Sequence, residues 1–252
     1  MHFLQRHEAI IQRLEKDKMV KVTELSSSLS VTEKTIRQDL IVLENKGVLK
    51  RIHGGAILPD SAAMLSVEKR QASFLYEKKQ AAKAAAAFIK ENDTILLDGG
   101  STMLELAKQL IHHKITVVTN DLKIAHALLN ASKIQLIVLG GARNASAGLT
   151  GPIAMDALEK IWVQNLFLGT TAADIDKGLT VFSNDQAEYK RMIMNRAEQI
   201  TLVTDHTKFG QTALIQYAEI NRVDRIITNY ELSSNWKCKL KETGIPVTYT
   251  NE

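Results

Sequence analysis

The sequence predicts an α/β chain in two parts: an N-terminal winged helix-turn-helix and a larger, mostly parallel α/β domain. Three observations carry this. Residues 22–57 read as two short helices, then a strand, a Gly-Gly turn and a second strand. From Thr94 onward, apolar runs of strand length alternate with helical stretches, the pattern of a parallel sheet covered on both faces. The positive charge is concentrated at the front: residues 1–57 hold ten Lys/Arg against seven Asp/Glu, and the rest holds 22 against 21, for a total of +4. The expected boundaries are 1–57 for the head, 58–92 for a linker and connecting helix, and 93–252 for the α/β domain.

Composition bounds the function classes. A chain of 252 residues that is 45% hydrophobic can bury a core. Cys238 is the single cysteine, so no internal disulfide can form and it cannot by itself build a zinc site. No metal site and no cofactor are expected, and one thiol suits a reducing compartment. No run of about 18 apolar residues exists, so no membrane span is expected. Arg6, His7, Glu8 and Gln12 interrupt any signal-peptide core. The charge asymmetry fits a DNA-binding head on a neutral body, and equally a solvated charged face.

The head opens with apolar residues at helical spacing over residues 3–16, broken at Asp17-Lys18. A short extended piece follows at Met19–Val22, and Thr23 can cap a brief helix through Leu29. Ser30 and Glu33 have the spacing of a capping box for a helix from Val31 to about Asn45, stopped near Gly47. With residues set at about 100° steps, Ile36, Leu40 and Leu43 share one stripe and form a buried seam. The opposite face presents Lys34, Arg37, Gln38, Ile41 and, at its edge, Thr35, and is polar and basic in its N-terminal half.

That polar face suits the major groove. Arg reads guanine and Gln reads adenine, so Arg37 and Gln38 can read bases, while Lys34 and Thr35 contact phosphate. The wing adds Arg51 and His53 as minor-groove or phosphate contacts. Gly54-Gly55 serves either close backbone approach to DNA or turn chemistry. Beyond a connector at residues 59–63, a charged helix is expected from Glu68 to about Lys90, including the Ala-rich run 81–87.

In the body, strand-length runs fall at 94–98, 115–120, 134–141, 165–170, 200–205, 223–229 and 245–250. Helices are expected at 102–112, 121–130, 152–161, 185–198 and 232–243. Asp98, Asn120, Gly140, Thr170, Asp205 and Asn229 end strands and define one rim, where open α/β sheets bind ligands. Strand-to-helix turns favour the same residue types. After the first strand, Gly99-Gly100-Ser101-Thr102 opens a helix whose first N–H groups can hold phosphate, aided by two hydroxyls. Thr102 and Glu105 also fit a capping box that would satisfy those donors. Asp98 and Asp205 suit sugar hydroxyls or turn capping.

Residues 22–56, VTELSSSLSVTEKTIRQDLIVLENKGVLKRIHGGA, resemble the head of the DeoR family of bacterial sugar-catabolism regulators. Gln38 stands where the family usually has a second Arg. The resemblance continues through the body. LLDGGST is similar to the family's D-x-G-[ST]-T loop, and VVTND to its V-T-N-S segment with Asp121 for Ser. VLGGARNASAGLTG is similar to G-G-x-x-R, bringing in Gly141 and Arg143. FLGTTAAD matches without the usual Gly at its sixth place. AEYKRMIMNRA and VTDHTKFG match segments that bring in Lys190 and Lys208 as bases reaching the rim.

The resemblance implies a sensor domain similar in fold to ribose-5-phosphate isomerase and related sugar-phosphate enzymes. It implies a transcriptional regulator, most often a repressor of a sugar or sugar-alcohol operon, controlled by a phosphorylated sugar or sugar-alcohol effector. The implied partner is double-stranded operator DNA read as a homo-oligomer, dimer or tetramer, in the bacterial cytoplasm and on the nucleoid when bound. The alternatives are an isomerase-like enzyme with a DNA-binding head and a nonspecific architectural DNA protein. Against the enzyme stands the lack of a paired-carboxylate motif, metal-ligand cluster or nucleophile elbow. The architectural protein would leave the second domain without a role.

Overall fold

The computed structural model describes residues 3–17, 19–45, 48–52, 54–57, 74–143 and 147–250. The head comprises α1 (Phe3–Asp17), β1 (Met19–Lys21), α2 (Val22–Leu29), α3 (Glu33–Asn45), β2 (Lys50–Ile52) and β3 (Gly55–Ile57). Strand β3 lies between β1 and β2, antiparallel to both. Ile36, Leu40 and Leu43 of α3 are buried with Ile10, Leu14 and Leu25, so the predicted seam packs on α1 and α2.

Two predicted caps differ. Helix α2 starts at Val22 after Lys21, with no side-chain cap, so Thr23 is not its N-cap. Ser30 is not the cap of α3 either. It ends α2 in the left-handed conformation (φ 53°) and returns its N–H to the Ser26 carbonyl. The cap is two residues on, where Thr32 Oγ1 accepts the Thr35 N–H at 3.2 Å. This leaves the three residues 30–32 for the turn between the helices.

Sequence reading also missed what sits beside the seam. Asp39 is 5% exposed on α3. It binds Arg6 of α1 through both oxygens (2.5 and 2.9 Å), and His7 Nε2 lies 3.0 Å from Oδ1. A buried carboxylate requires such partners. Gly55 has a structural reason: a Cβ there would sit 2.0 Å from the Val20 carbonyl oxygen, so the wing can pair with β1 only through glycine. The predicted stop at Gly47, the connector at residues 59–63 and the first part of the helix predicted from Glu68 lie outside the described residues, as does His53.

Helix α4 (Leu75–Ala86) ends four residues before the predicted limit. The body then builds β4 (Thr94–Leu97), α5 (Ser101–Gln109), β5 (Ile115–Thr119), α6 (Leu122–Leu128) and β6 (Ile134–Val138). A short hairpin of β7 (Ala142–Arg143) and β8 (Leu149–Thr150) leads to α7 (Pro152–Leu158) and β9 (Val163–Leu168). After β10 (Ala172–Asp174) and β11 (Gly178–Val181) come α8 (Asn184–Met194) and β12 (Ala197–Val203). The chain closes with β13 (Ile215–Ala218), β14 (Arg225–Asn229), α9 (Ser234–Glu242) and β15 (Val247–Thr250).

Seven strands form one parallel sheet in the order β15-β14-β12-β9-β4-β5-β6. Alternate side chains serve two cores. Ile95, Leu97, Val117 and Phe167 face Ala81, Ala82 and Ala85 of α4 and Met103 and Leu106 of α5. The small alanines let α4 lie close to α5. Leu96, Val118, Leu166 and Leu202 face Leu158 of α7, Ala187 and Ile193 of α8, and Leu240 of α9. Strands β10, β11 and β13 make a separate antiparallel sheet, and β7-β8 a third; the sequence pattern had not signalled either.

The chain travels outward from β4 through β5 to β6, then returns to β4's other side with β9 and proceeds to β15. The order reverses between β4 and β9, and crevices form beyond the carboxyl ends of strands at such a reversal. Head and body also touch. Leu214 of the body belongs to the head's apolar cluster, with Phe182 and Ile215 packed against it. Glu8 of α1 accepts the Asn184 N–H, the first of α8, at 2.7 Å.

Candidate functional site

A cavity of about 160 Å³ opens at the reversal. The loops after four adjacent strands, β12, β9, β4 and β5, supply Thr204 and Asp205, Gly169 to Thr171, Asp98 to Met103, and Asn120 with Asp121. Lys208 follows on a short 3-10 turn. Helix α8 adds Gln186, Tyr189 and Lys190, which share one face at i, i+3 and i+4. Helix α4 adds Lys78, and Phe74 precedes it.

Lys190, 8% exposed, crosses the reversal. Its Nζ donates to Asp98 Oδ2 and, at 2.8 Å, to the Gly169 carbonyl. The same Asp98 oxygen accepts the Gly169 N–H at 3.1 Å. Asp98 therefore pins the ends of β4 and β9 together through Lys190. Asp205 caps its own turn by accepting the Thr207 N–H at 3.1 Å, the capping alternative raised for it.

The glycine loop leaves donors open. Helix α5 starts at Ser101 after Gly100, and no side chain caps it. Thr102 lies inside the helix, and Glu105 is paired with Lys108 at 2.6 Å, so the Thr102–Glu105 capping box does not form. Asp121 accepts the Gly100 N–H at 3.2 Å and caps α6 through Lys123 N and Ile124 N at 2.8 and 3.3 Å. The N–H groups of the first helical turn remain at the positive end of α5, beside the hydroxyls of Ser101 and Thr102. The charged lining residues are Asp98, Asp121 and Asp205 against Lys78, Lys190 and Lys208. These formal charges cancel, so the helix end supplies the positive potential still available to an anion.

Asp98, Gly99, Gly100, Ser101, Thr102, Asn120, Lys190, Asp205 and Lys208 thus converge on one cavity. Gly141 and Arg143 do not. The β7-β8 hairpin folds back, leaving Arg143 exposed on β7. Gly141 serves the backbone: with φ 120°, its Cβ would meet the Thr150 carbonyl oxygen at 2.4 Å. Gly148 and Thr150 of the same segment reach the cavity instead. Of the strand-end rim, Gly140 and Asn229 also lie away from it; the Asn229 side chain binds His206 and Glu231. Sequence reading missed Lys78, Gln186 and Tyr189. The only signal was for Gln186, one helical turn before Lys190.

At the other end, Lys34, Arg37 and Gln38 are exposed on α3 and Thr35 is half-buried. Arg37 pairs with Glu33, and Arg51 of the wing with Glu44, each at 2.6 Å. Both pairs are solvent-facing, so surrendering them to a phosphate or base costs little. The Glu44 carboxyl is held below its usual range, first by the Arg51 side chain and then by the Arg51 N–H. Among the described residues, no group of His, Cys, Asp and Glu is arranged to hold a metal ion, and no helix is long and apolar enough to cross a membrane.

A winged helix-turn-helix joined to a parallel α/β domain with a cavity at its reversal defines a DNA-binding regulator built on a ligand-type scaffold. The chain belongs to the DeoR family: residues 6–62 match the DeoR-like helix-turn-helix domain, and residues 74–230 the DeoR C terminal sensor domain. It is 34% identical to a putative aga operon transcriptional repressor of Escherichia coli O157:H7, over 98% of this chain and 94% of that one. It is 33% identical to the HTH-type transcriptional regulator GolR of Listeria innocua, over 96% and 97%. It is 32% identical to the glycerol-3-phosphate regulon repressor of Escherichia coli K12, over 89% and 90%. These relatives are named as regulators or repressors, and the chain is a transcriptional regulator of the same family. Among solved structures, ribose 5 phosphate isomerase A from Neisseria gonorrhoeae is similar over 53% of each chain, at 18% identity and a TM-score of 0.40.

Proposed function

We propose that this protein represses an operon for use of a sugar or sugar alcohol, and that a phosphorylated sugar or sugar alcohol in the cavity controls its hold on operator DNA. The observation that carries the reading is helix α8. Its pocket face bears Gln186, Tyr189 and Lys190, and its first N–H is held by Glu8 of the head. A ligand that moves Lys190 away from Asp98 or Gly169 displaces a helix whose other end is tied to the DNA-binding domain. The coupling is then the difference in ligand affinity between the two arrangements.

In this reading the phosphate takes the open first turn of α5 with Ser101 and Thr102, and Lys208 approaches it from the neighbouring loop. Arg37 and Gln38 read bases, Lys34 and Thr35 hold phosphates, and Arg51 and His53 act from the wing. Two heads on a homo-oligomer read two half-sites. The relatives named for the aga operon and the glycerol-3-phosphate regulon support a ligand of this chemistry. The test is operator affinity, by fluorescence anisotropy, across a panel of sugar and polyol phosphates and their unphosphorylated parents. A change with one phosphate but not with its parent supports the reading. Indifference to the whole panel overturns it.

A further inference from the structure

Two residues that line the cavity each carry a buried polar atom with no hydrogen-bond partner among the described residues: Asn120 its Oδ1, and Tyr189 its hydroxyl. Asn120 is 5% exposed and Tyr189 4%. The Asn120 amide orientation is fixed, because its Nδ2 donates to the Leu149 carbonyl at 3.0 Å. Its oxygen is therefore an acceptor that needs a donor. Burial, with Asp98 and Asp121 adding to it, holds the Tyr189 phenol well above its ordinary range, so it stays protonated and available to donate. Unsatisfied buried groups are costly, and native structures keep few of them. The hydroxyls of Thr228 and Thr250 are also unpartnered but do not line the cavity. The pair that does is complementary, one acceptor and one donor, on β5's loop and on α8.

We propose that Asn120 and Tyr189 are specificity-determining residues that together read a hydroxyl-bearing carbon of the ligand. Asn120 Oδ1 accepts from a ligand hydroxyl, and the Tyr189 hydroxyl donates to a ligand oxygen. The cavity then selects a sugar or polyol over a bare phosphate or a phosphorylated acid without hydroxyls, since neither of those carries a carbon-borne hydroxyl to offer Asn120 while its phosphate occupies the first turn of α5. This deepens the proposed function and rests on its placing the ligand in this cavity.

The experiment is isothermal titration calorimetry of the full chain and of Tyr189→Phe, which removes one oxygen and keeps the ring. The probes are glycerol 3-phosphate, sorbitol 6-phosphate and glucosamine 6-phosphate, their unphosphorylated parents, phosphoglycolate and inorganic phosphate. The expected result is a loss of about five- to tenfold for the hydroxylated ligand that binds, with inorganic phosphate unaffected and phosphoglycolate, whose carboxylate can accept but not donate, bound more weakly by the wild-type protein than the hydroxylated ligand. The unliganded variant should melt at or above the wild-type temperature, because Phe removes an unsatisfied hydroxyl. A lower melting temperature would show that the hydroxyl has a partner within the protein and would overturn the proposal. So would equal affinity in the two proteins, or wild-type protein that binds no hydroxylated probe. If only unphosphorylated polyols bind and lose affinity in Tyr189→Phe, the proposal stands and the phosphate falls from the proposed function. If a polyol phosphate binds both proteins equally, the proposed function stands and this proposal falls.

Discussion

Glu8 and Asn184, 176 positions apart, meet across the two domains: the Glu8 carboxylate accepts the backbone N–H that begins α8, at 2.7 Å. A carboxylate at this end satisfies one of the helix's open donors and lies favourably in its dipole. The same helix carries Lys190, which binds Asp98 from a position six residues further on. One rigid element therefore has the DNA-binding head at its start and the cavity along its length.

Replacing Glu8 with Ala should leave unliganded operator affinity within about threefold while shrinking the ligand-induced change, because only the coupling contact is removed. Anisotropy titrations of a labelled operator, with and without the ligand found in the panel, measure both. A full response in Glu8→Ala would send the coupling through the Leu214 contact instead.

Asp39→Ala should destabilise the head by about 3–5 kcal/mol, the cost of stranding a buried partner. Arg6 is only 12% exposed on its side chain and would lose both of its bonds to Asp39. Urea denaturation followed by circular dichroism checks this, and a change below about 1 kcal/mol would mean that water reaches the pair.

Arg37→Ala should relax discrimination at one base pair by about 1–3 kcal/mol. Binding to a set of single-substituted operators tests it. Equal weakening on every sequence would move Arg37 from base to phosphate contact.

Lys208→Ala should spare operator binding and weaken the phosphorylated ligand more than its unphosphorylated parent. Calorimetry on the two ligands separates these effects; equal losses would remove Lys208 from the phosphate end.

The Glu44 carboxyl is depressed by Arg51, so its contribution to wing docking is complete above the ordinary carboxylate range and fades as pH falls through its own lower value. Carboxyl chemical shifts across an acid titration should show the depression, and Arg51→Ala should restore an ordinary value.

Much of the architecture was legible because burial repeats in the sequence. Ile36, Leu40 and Leu43 mark one helical face, and runs such as Ile95-Leu96-Leu97 belong to strands buried on both sides. Ser30, Val31 and Thr32 show where legibility fails: Ser30 and Thr32 are both competent caps, and only the turn between α2 and α3 decides that Thr32 serves. Arg143 was assigned to the rim from a motif, but the hairpin after β6 turns it outward. Tyr189 and Lys78 have no local signature, because their place in the cavity depends on how α8 and α4 cross the sheet. The β10-β11-β13 sheet was invisible because its three strands have only three or four residues each.

The reversal of strand order between β4 and β9 gives the ligand site a modular origin. The cavity is assembled from separate loops attached to a sheet whose interior they leave alone. A loop can be exchanged, as Asp121 for the Ser of related sequences illustrates, while Leu96, Phe167 and their neighbours keep the scaffold folded. In the proposed reading a change of ligand is an edit to loops, and it needs no new fold and no change to α3.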